Sequence, residues 1–225
     1  AMNIFRLNHL KMHGIKLEKD GINIKDFKES FKNTKLTYLI PDFQNPSATT
    51  YCDEKRKEIA KIVSEENGIL IEDSPYSELF FDKKNISISS KIPKNSFHLG
   101  SFSKTLVPSL RIGWIRADEE LLKSLMIIKE SIDLHSCGIS QYILNEYLKD
   151  EEKYEKHLQK IRDDYKQKAD FFCEQLDKYL PEFKYEKPKG GMFLYGSFEG
   201  IDSFALVQKC IEQKVVYVPG NQFYI

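Results

Sequence analysis

Long apolar runs, an excess of either charge and paired cysteines are all missing from this 225-residue sequence. No apolar segment approaches the roughly 20 residues of a membrane-spanning helix, and no signal-peptide pattern is visible. The 34 basic and 34 acidic residues balance, so there is no electrostatic case for nucleic-acid binding by this chain. These absences predict a soluble, cytoplasmic protein that binds neither a membrane nor a nucleic acid.

Residues with metal-ligand or disulfide spacing are also missing. The four cysteines are far apart and form no C-x-x-C pair, and the five histidines have no cysteine or carboxylate partners at ligand spacing. We therefore expect reduced thiols and predict no metal site. The cysteines are Cys52, Cys137, Cys173 and Cys210.

Alternating strand and helix patterns are present instead. The β-rich segment Leu36–Ile40 predicts a buried strand. A helical pattern over Asp53–Asn67 follows it, and the short apolar segment Ile69–Ile71 comes next. A strand, a helix and a strand with short connections form a βαβ unit, which implies parallel strands. The sequence therefore predicts an α/β fold with a mostly parallel sheet, to which Phe97–Leu99 and Ile112–Ile115 add further strands.

The pattern changes in the last third of the chain. A long helix is predicted over Glu151–Leu180, and three strands and one helix follow it. This change favours a domain boundary near residue 150, with a larger domain over residues 1–150 and a smaller α+β domain over residues 151–225. The packed stripe expected on the long helix is Ile161, Tyr165, Ala169, Phe172, Leu176 and Leu180. The later elements are strands Phe183–Tyr185, Met192–Tyr195 and Val215–Val218, with a helix over Asp202–Glu212.

The segment HLGSFSKTLVPSLRIGW, residues 98–114, concentrates groups that bind anions at the end of a predicted strand. Ser101 and Ser103 offer hydroxyl donors, and Arg111 offers a bidentate guanidinium, so together they suit a phosphate. Lys104 has two interpretations: a surface or phosphate-facing cation, or an amine nucleophile whose pKa is lowered by burial and by Arg111.

Polar groups follow two other predicted strands. Asn45 lies in the loop after Leu36–Ile40, and Asp73 and Tyr76 follow Ile69–Ile71. Each has an ordinary alternative: a turn asparagine before proline, a solvated acid and a packed aromatic. Because the carboxyl ends of parallel strands meet at one edge of the sheet, we expect these groups to converge near Lys104.

Five segments in this order resemble class I/II aminotransferases, which are pyridoxal phosphate (PLP) enzymes of fold-type I. The segments are YLIPDFQNPS (38–47), ILIEDSPYSEL (69–79), HLGSFSKTLVPSLRIGW (98–114), KPKGGMFLY (187–195) and VVYVPGNQFY (215–224). The resemblance is to the branch with 2-aminoadipate and kynurenine aminotransferases, and to the aminotransferase-like domain of MocR/GntR-type regulators. It implies a three-layer αβα large domain and a small C-terminal domain.

The resemblance implies a role for each candidate residue. Lys104 would form a Schiff base with pyridoxal 5'-phosphate and shuttle the substrate proton, and Asp73 would pair with the pyridine nitrogen. Asn45 and Tyr76 would hydrogen-bond the ring hydroxyl. The phosphate would be held by Ser101, Ser103 and Arg111. The implied reaction transfers an amino group between an amino acid and a 2-oxo acid in a homodimer.

The sequence also departs from the family pattern. The family's N-P-T-G reads Asn45-Pro46-Ser47-Ala48 here. The family's N-terminal phosphate cradle and ring-stacking aromatic have no counterpart, and the chain stops before the family's carboxylate-binding arginine. We therefore expect a chain truncated at both ends, whose own turnover is in doubt. The alternative function is the effector-sensing domain of a MocR/GntR-type transcription regulator.

Overall fold

The structure is a computed structural model that describes residues 1–223. The α-helices are α1 (Met2–Leu7), α2 (Ile24–Phe31), α3 (Asp53–Glu65), α4 (Glu119–Ile132), α5 (Gly138–Leu148), α6 (Glu151–Tyr179) and α7 (Ser203–Glu212). The strands are β1 (Leu17–Glu18), β2 (Gly21–Ile22), β3 (Leu36–Leu39), β4 (Ile69–Asp73), β5 (Ser96–Ser101), β6 (Gly113–Arg116), β7 (Lys184–Tyr185) and β8 (Gly196–Ser197). Short 3-10 turns cover Ser89–Lys91, Pro93–Asn95, Pro108–Leu110 and Gly220–Phe223.

A four-stranded sheet with the order β3-β4-β5-β6 forms the centre of the fold. The pairs β3–β4 and β4–β5 are parallel, and β6 runs antiparallel to β5. Helix α3 connects β3 to β4, so the predicted βαβ unit and the mostly parallel sheet are confirmed. The parallel strands end in the same direction, which brings their following loops to one edge of the sheet.

The two faces of this sheet have different environments. Along β4 the side chains of Leu70 and Glu72 are buried, whereas Ile69, Ile71 and Asp73 are half-buried. This alternation follows from the two-residue period of a strand. The buried face packs against α2 and α3, and the half-buried face carries Asp73 at its end. The core of the buried face comprises Leu39 and Leu70 of the sheet with Phe27, Phe31, Ile59, Ile62 and Val63 of the helices.

The predicted burial of the first strand is mostly wrong. Strand β3 ends at Leu39, and of its four residues only Leu39 is buried, while Leu36 is 42% exposed. Strand β6 is exposed along its whole length. Both strands lie at the edges of the sheet, where only one neighbouring strand covers them.

Helix α6 confirms the long predicted helix, but its packed stripe differs towards the C-terminal end. Leu158, Arg162, Cys173 and Leu176 are buried, whereas the predicted Phe172 is 52% exposed. The interval from Arg162 to Cys173 is about three turns at 3.6 residues per turn, so the stripe passes through Cys173 and not through its neighbour. Leu180, also predicted to pack, lies just beyond the helix and is 44% exposed.

Two of the three predicted C-terminal strands are absent from the described residues. Met192–Tyr195 is not in a strand. The preceding residues pair elsewhere, since the Gly191 amide donates to the Leu79 carbonyl and the Phe81 amide donates to the Lys189 carbonyl. The residues that pair as strands are those of β7 and β8. Val215–Val218 is also irregular, and the Val215 amide instead bonds the Cys210 carbonyl at the end of α7. Tyr224, the last residue of the matched segment 215–224, lies outside the described residues.

The domain boundary near residue 150 stays a prediction. It falls at Lys149 and Asp150, the two residues between α5 and α6. Across residues 1–223, none of the helices has the length and apolar character needed to cross a membrane. Within the same residues, no group of three or more His, Cys, Asp and Glu side chains is placed to hold a metal ion.

Candidate active site

Asp73 closes strand β4 and is held by a tyrosine from the neighbouring strand. The register pairs Tyr38 of β3 with Ile71, so Asp73, two residues further along β4, shares the face of Tyr38. The Tyr38 hydroxyl donates a hydrogen bond to Asp73 Oδ2. Burial and this bond to Asp73 raise the pKa of Tyr38, so its hydroxyl keeps its proton and remains a donor.

Asn45 and Tyr76 meet beside this carboxylate. The Asn45 side chain donates a hydrogen bond to the Tyr76 hydroxyl, and Asp73 lies close enough to act on it electrostatically. Burial raises the pKa of Tyr76, the Asn45 bond opposes this rise, and the charge of Asp73 adds to it. The ring of Tyr76 is buried, and the edge of Phe193 lies against it with a centroid distance of 5.4 Å. The structure therefore brings Asn45, Asp73 and Tyr76 together.

The loop that carries Asn45 is anchored by a buried ion pair. Arg56 of α3 reaches Asp42 with an Nη2–Oδ1 distance of 2.5 Å, and both side chains are at least 95% buried. The same guanidinium donates to the carbonyl oxygens of Tyr51 and Pro41, each at 2.9 Å. A planar group with five donors can hold several acceptors at once. Arg56 thus fixes both ends of the loop over residues 41–51, in which the Asn45–Pro46 peptide is cis.

Ser101, Ser103 and Lys104 lie in the turn that follows β5. Ser101 ends the strand, and its Oγ accepts a hydrogen bond from the Ser103 amide at 3.2 Å. The Lys104 side chain is half-buried and makes no hydrogen bond or ion pair with any residue in the described range 1–223. Asp73 is the last residue of β4 and is paired in register with Leu99 of β5, whereas Lys104 lies three residues beyond the end of β5.

Helix α6 holds the Lys104 turn from the other side. Thr105 is 3% exposed, its hydroxyl bonds Tyr154, and its carbonyl oxygen lies 2.9 Å from His157 Nε2. These two bonds fix the backbone directly after Lys104.

Arg111 is separate from the other candidate residues. Its backbone has a left-handed conformation with φ of 54°, and its guanidinium bonds the Pro108 carbonyl at 3.1 Å. The side chain is exposed. Among residues 1–223 no bond joins Arg111 to Ser101, Ser103 or Lys104, so the structure places it in the same turn region without a direct contact.

The donor set of this edge suits an anionic aromatic ligand. Asp73 offers a carboxylate, Asn45 and Tyr76 offer neutral hydrogen-bonding groups, and Lys104 offers an amine. A carboxylate suits a protonated ring nitrogen, and an amine suits an aldehyde carbon. These side chains therefore fit a phosphorylated pyridine aldehyde.

Three contributors were not identified from the sequence: Tyr38, Arg56 and Thr105. Tyr38 has a sequence signal, because it lies one residue before the end of β3, on a strand next to Asp73. Arg56 and Thr105 have none, since their partners lie 14 and 52 residues away in the chain.

An open α/β sheet with these groups at its carboxyl edge is typical of an enzyme or ligand-binding fold. The model for "Aminotransferase class I and II" matches residues 2–225. The chain belongs to this family, as the five sequence segments predict.

Two curated relatives show the kinds of protein to which this chain is similar. Aromatic-amino-acid aminotransferase 1 of Thermococcus litoralis is 33% identical over 236 residues, which cover 100% of this chain and 56% of the relative. The regulator NorG of Staphylococcus aureus, described as HTH-type transcriptional, is 34% identical over 196 residues, which cover 85% of this chain and 44% of the relative. The chain thus spans about half the length of the curated relatives that it matches.

A solved structure confirms the fold class. LysN, an alpha-aminoadipate aminotransferase from Thermus thermophilus complexed with N-(5'-phosphopyridoxyl)-L-leucine, superposes with a TM-score of 0.92 at 31% identity. The match covers 98% of this chain and 58% of that structure. The predicted αβα architecture of PLP fold-type I is therefore correct, and the chain represents part of it.

Proposed function

We propose that this chain binds pyridoxal 5'-phosphate and forms part of an aminotransferase that moves an amino group between an amino acid and a 2-oxo acid. The observation that carries the proposal is the convergence of Asp73, Tyr76 and Asn45 next to the turn that holds Lys104. Family membership supports it, and so does the phosphopyridoxyl ligand of LysN.

Each side chain has a chemical task in this proposal. When bound, the cofactor supplies an electron sink that stabilises negative charge on the substrate α-carbon. Lys104 Nζ would hold the cofactor through its aldehyde carbon and would move a proton at the substrate α-carbon. Asp73 holds the proton of the ring nitrogen, and Asn45 and Tyr76 hydrogen-bond the ring hydroxyl.

Phosphate binding is assigned to Ser101, Ser103 and Arg111. The two serines offer hydroxyl donors at the end of β5, and Arg111 offers a guanidinium in the same turn region. The present bond of Arg111 to Pro108 is exposed and weak enough to be exchanged for a phosphate contact.

Assembly, domain organisation and location follow from the same family assignment. We propose a homodimer in the cytoplasm with a cofactor-binding part over residues 1–150 and a smaller part over residues 151–225. Exposed apolar side chains on α4 and α5 support an interface, among them Met126 and Ile139, which are 68% and 74% exposed.

A second function rests on the similarity to NorG. In this alternative the chain is the effector-sensing part of a MocR/GntR-type regulator, which binds the cofactor and an amino compound without productive transamination. Both functions use the same Lys104, so they differ only in the step after the cofactor has bound.

The first experiment is a visible absorbance titration of the purified chain with PLP. We expect a Lys104-dependent band in the wild type that is lost in Lys104→Ala. Lys160→Ala is the matched control, because Lys160 is an exposed lysine on α6. Loss of the band in both variants, or in neither, would contradict a specific bond to Lys104.

Addition of an L-amino-acid mixture then separates the two functions. Conversion of the band to the pyridoxamine form supports an aminotransferase, whereas an unchanged band supports the sensor. If the wild-type chain shows no band, this chain does not bind the cofactor by itself, and the proposal fails for it.

A further inference from the structure

Three acidic side chains lie near the ends of β3 and β4, and they differ in how their oxygens are used. Asp42 accepts from Arg56 on both oxygens and also from Asn85. Glu72 accepts the backbone amides of Ile88 and Ser89, one on each oxygen, at 3.0 and 2.7 Å. In both carboxylates each oxygen is already held by a group of the chain itself, and both side chains are buried.

Asp73 differs because one oxygen is held and the other is open. Its Oδ2 accepts from the Tyr38 hydroxyl. Its Oδ1 has no hydrogen-bond partner among residues 1–223, and the residue is half-buried on the sheet face away from α2 and α3. A carboxylate tied through one oxygen cannot rotate freely about its χ angles, so the open oxygen has a fixed direction.

The tyrosine is itself held in place. The edge of the Phe5 ring lies against the Tyr38 ring at 6.0 Å with an interplanar angle of 77°, a preferred geometry for aromatic pairs. Strand pairing fixes the Tyr38 backbone opposite Ile71. The Tyr38 side chain therefore has little conformational freedom, and its hydrogen bond restricts the Asp73 side chain as well.

We propose that Tyr38 is a positioning residue that sets the rotamer of Asp73, so that Asp73 Oδ1 is directed at the ring nitrogen of the cofactor. This inference rests on the proposed function, because it assigns a second residue to the same site. A hydrogen bond to a charged carboxylate is among the stronger ones in proteins. Its loss is expected to weaken cofactor binding about tenfold, the equivalent of about 1.4 kcal/mol.

The test compares Tyr38→Phe with Tyr185→Phe. Tyr185 of strand β7 is a matched control, because its hydroxyl also donates to a carboxylate oxygen, Asp177 Oδ1, at 2.8 Å. In the cofactor-free chain, NMR three-bond couplings of Asp73 should report one side-chain rotamer in the wild type and Tyr185→Phe. Tyr38→Phe should give averaged couplings. Unchanged couplings in Tyr38→Phe would overturn the inference.

The second readout uses the cofactor. Tyr38→Phe should bind PLP about tenfold more weakly. It should also shift the pH midpoint of the visible band upward, because a pyridine ring that holds its proton less firmly withdraws less electron density from the Lys104 nitrogen. A purely structural role would leave this midpoint unchanged. Binding and midpoint equal to those of Tyr185→Phe would contradict a positioning role.

Failure of the proposed function can be told apart from failure of this inference. If the wild-type chain forms no band, the proposed function fails, and the Asp73 couplings alone decide whether Tyr38 orders the carboxylate. If Tyr38→Phe does not fold, Phe5→Leu replaces it, because that change keeps the hydroxyl and removes the ring that holds it. Phe5→Leu should give a smaller change in the same direction, and no change would overturn the inference.

Discussion

His157 Nε2 lies 2.9 Å from the Thr105 carbonyl oxygen, although 52 residues separate the two in the chain. This contact, with the bond from the Thr105 hydroxyl to Tyr154, joins the middle of the fold to helix α6. The turn that carries Lys104 is therefore held from two sides, by β5 before it and by α6 after it. A helix assigned to the smaller part of the chain thus contributes to the order of the proposed site.

Thr105→Val should destabilise the protein by about 0.5–1.5 kcal/mol, because the half-buried Tyr154 hydroxyl would lose its donor. The variant should also show faster amide hydrogen exchange at residues 102–106. Both effects can be measured, by urea unfolding and by exchange mass spectrometry. Thr37→Val is the control, since Thr37 is a half-buried strand residue with no described hydrogen bond of its side chain, and it should leave both quantities unchanged.

Arg56→Met should cost about 3–5 kcal/mol of unfolding free energy. The change leaves Asp42 buried without its ionic partner, and breaking one member of a buried pair has this magnitude. Urea unfolding measures it. Lys156→Met, which breaks the exposed pair with Glu152 on α6, should have almost no effect. Equal effects of the two substitutions would show that the Arg56–Asp42 pair is not what holds the loop over residues 41–51.

The sequence was sufficient for the elements whose pattern is local. The elements β3, α3 and β4 lie in the predicted order, because periodicity and capping act over a few residues. The error at Met192–Tyr195 has a non-local cause. This segment has the composition of a strand, but the residues just before it, Lys189 and Gly191, bond to Phe81 and Leu79.

The same contrast between local patterns and non-local contacts applies to the residues of the candidate site. The convergence of Asn45, Asp73 and Tyr76 could be predicted, since parallel strands end at one edge. Arg56 and Thr105 could not, because a buried arginine and a buried threonine have no sequence pattern that identifies their partners. Their roles depend on tertiary contacts alone.

Gly68→Ala should destabilise the protein by about 1–3 kcal/mol through overpacking. A Cβ at this position would lie 2.4 Å from Phe31 Cζ, and the Phe31 ring cannot move away because it is buried against Phe27 at 5.1 Å. Thermal or urea unfolding tests this. Gly138→Ala is the matched control at the start of α5, where a Cβ meets nothing within 4 Å. It should leave stability unchanged or raise it slightly, and a similar loss in both variants would exclude the Phe31 contact as the cause.

His98 should make the protein less stable in mild acid. Burial lowers the pKa of His98 below 6.5; the charges of Glu72 and Asp42 oppose this, and those of Arg116 and Lys84 add to it. The Arg116 guanidinium donates to His98 Nδ1 at 3.3 Å, so the neutral ring carries its proton on Nε2, which is buried without a partner among residues 1–223. A second proton would go on Nδ1, where it would displace this bond and face the Arg116 charge.

The sign of the effect follows from proton binding. Below about pH 6.5 the unfolded chain takes up a proton on this histidine, whereas the folded chain takes it up only at a lower pH. The stability that depends on neutral His98 is thus present above pH 6.5, declines as the pH falls towards the lowered pKa, and levels off below it. Urea unfolding at about pH 7.5 and 5.5 measures the decline. His98→Gln should reduce it, whereas His13→Gln, at an exposed histidine, should retain the full wild-type decline; an equal decline in all three proteins would assign the acid sensitivity to other groups.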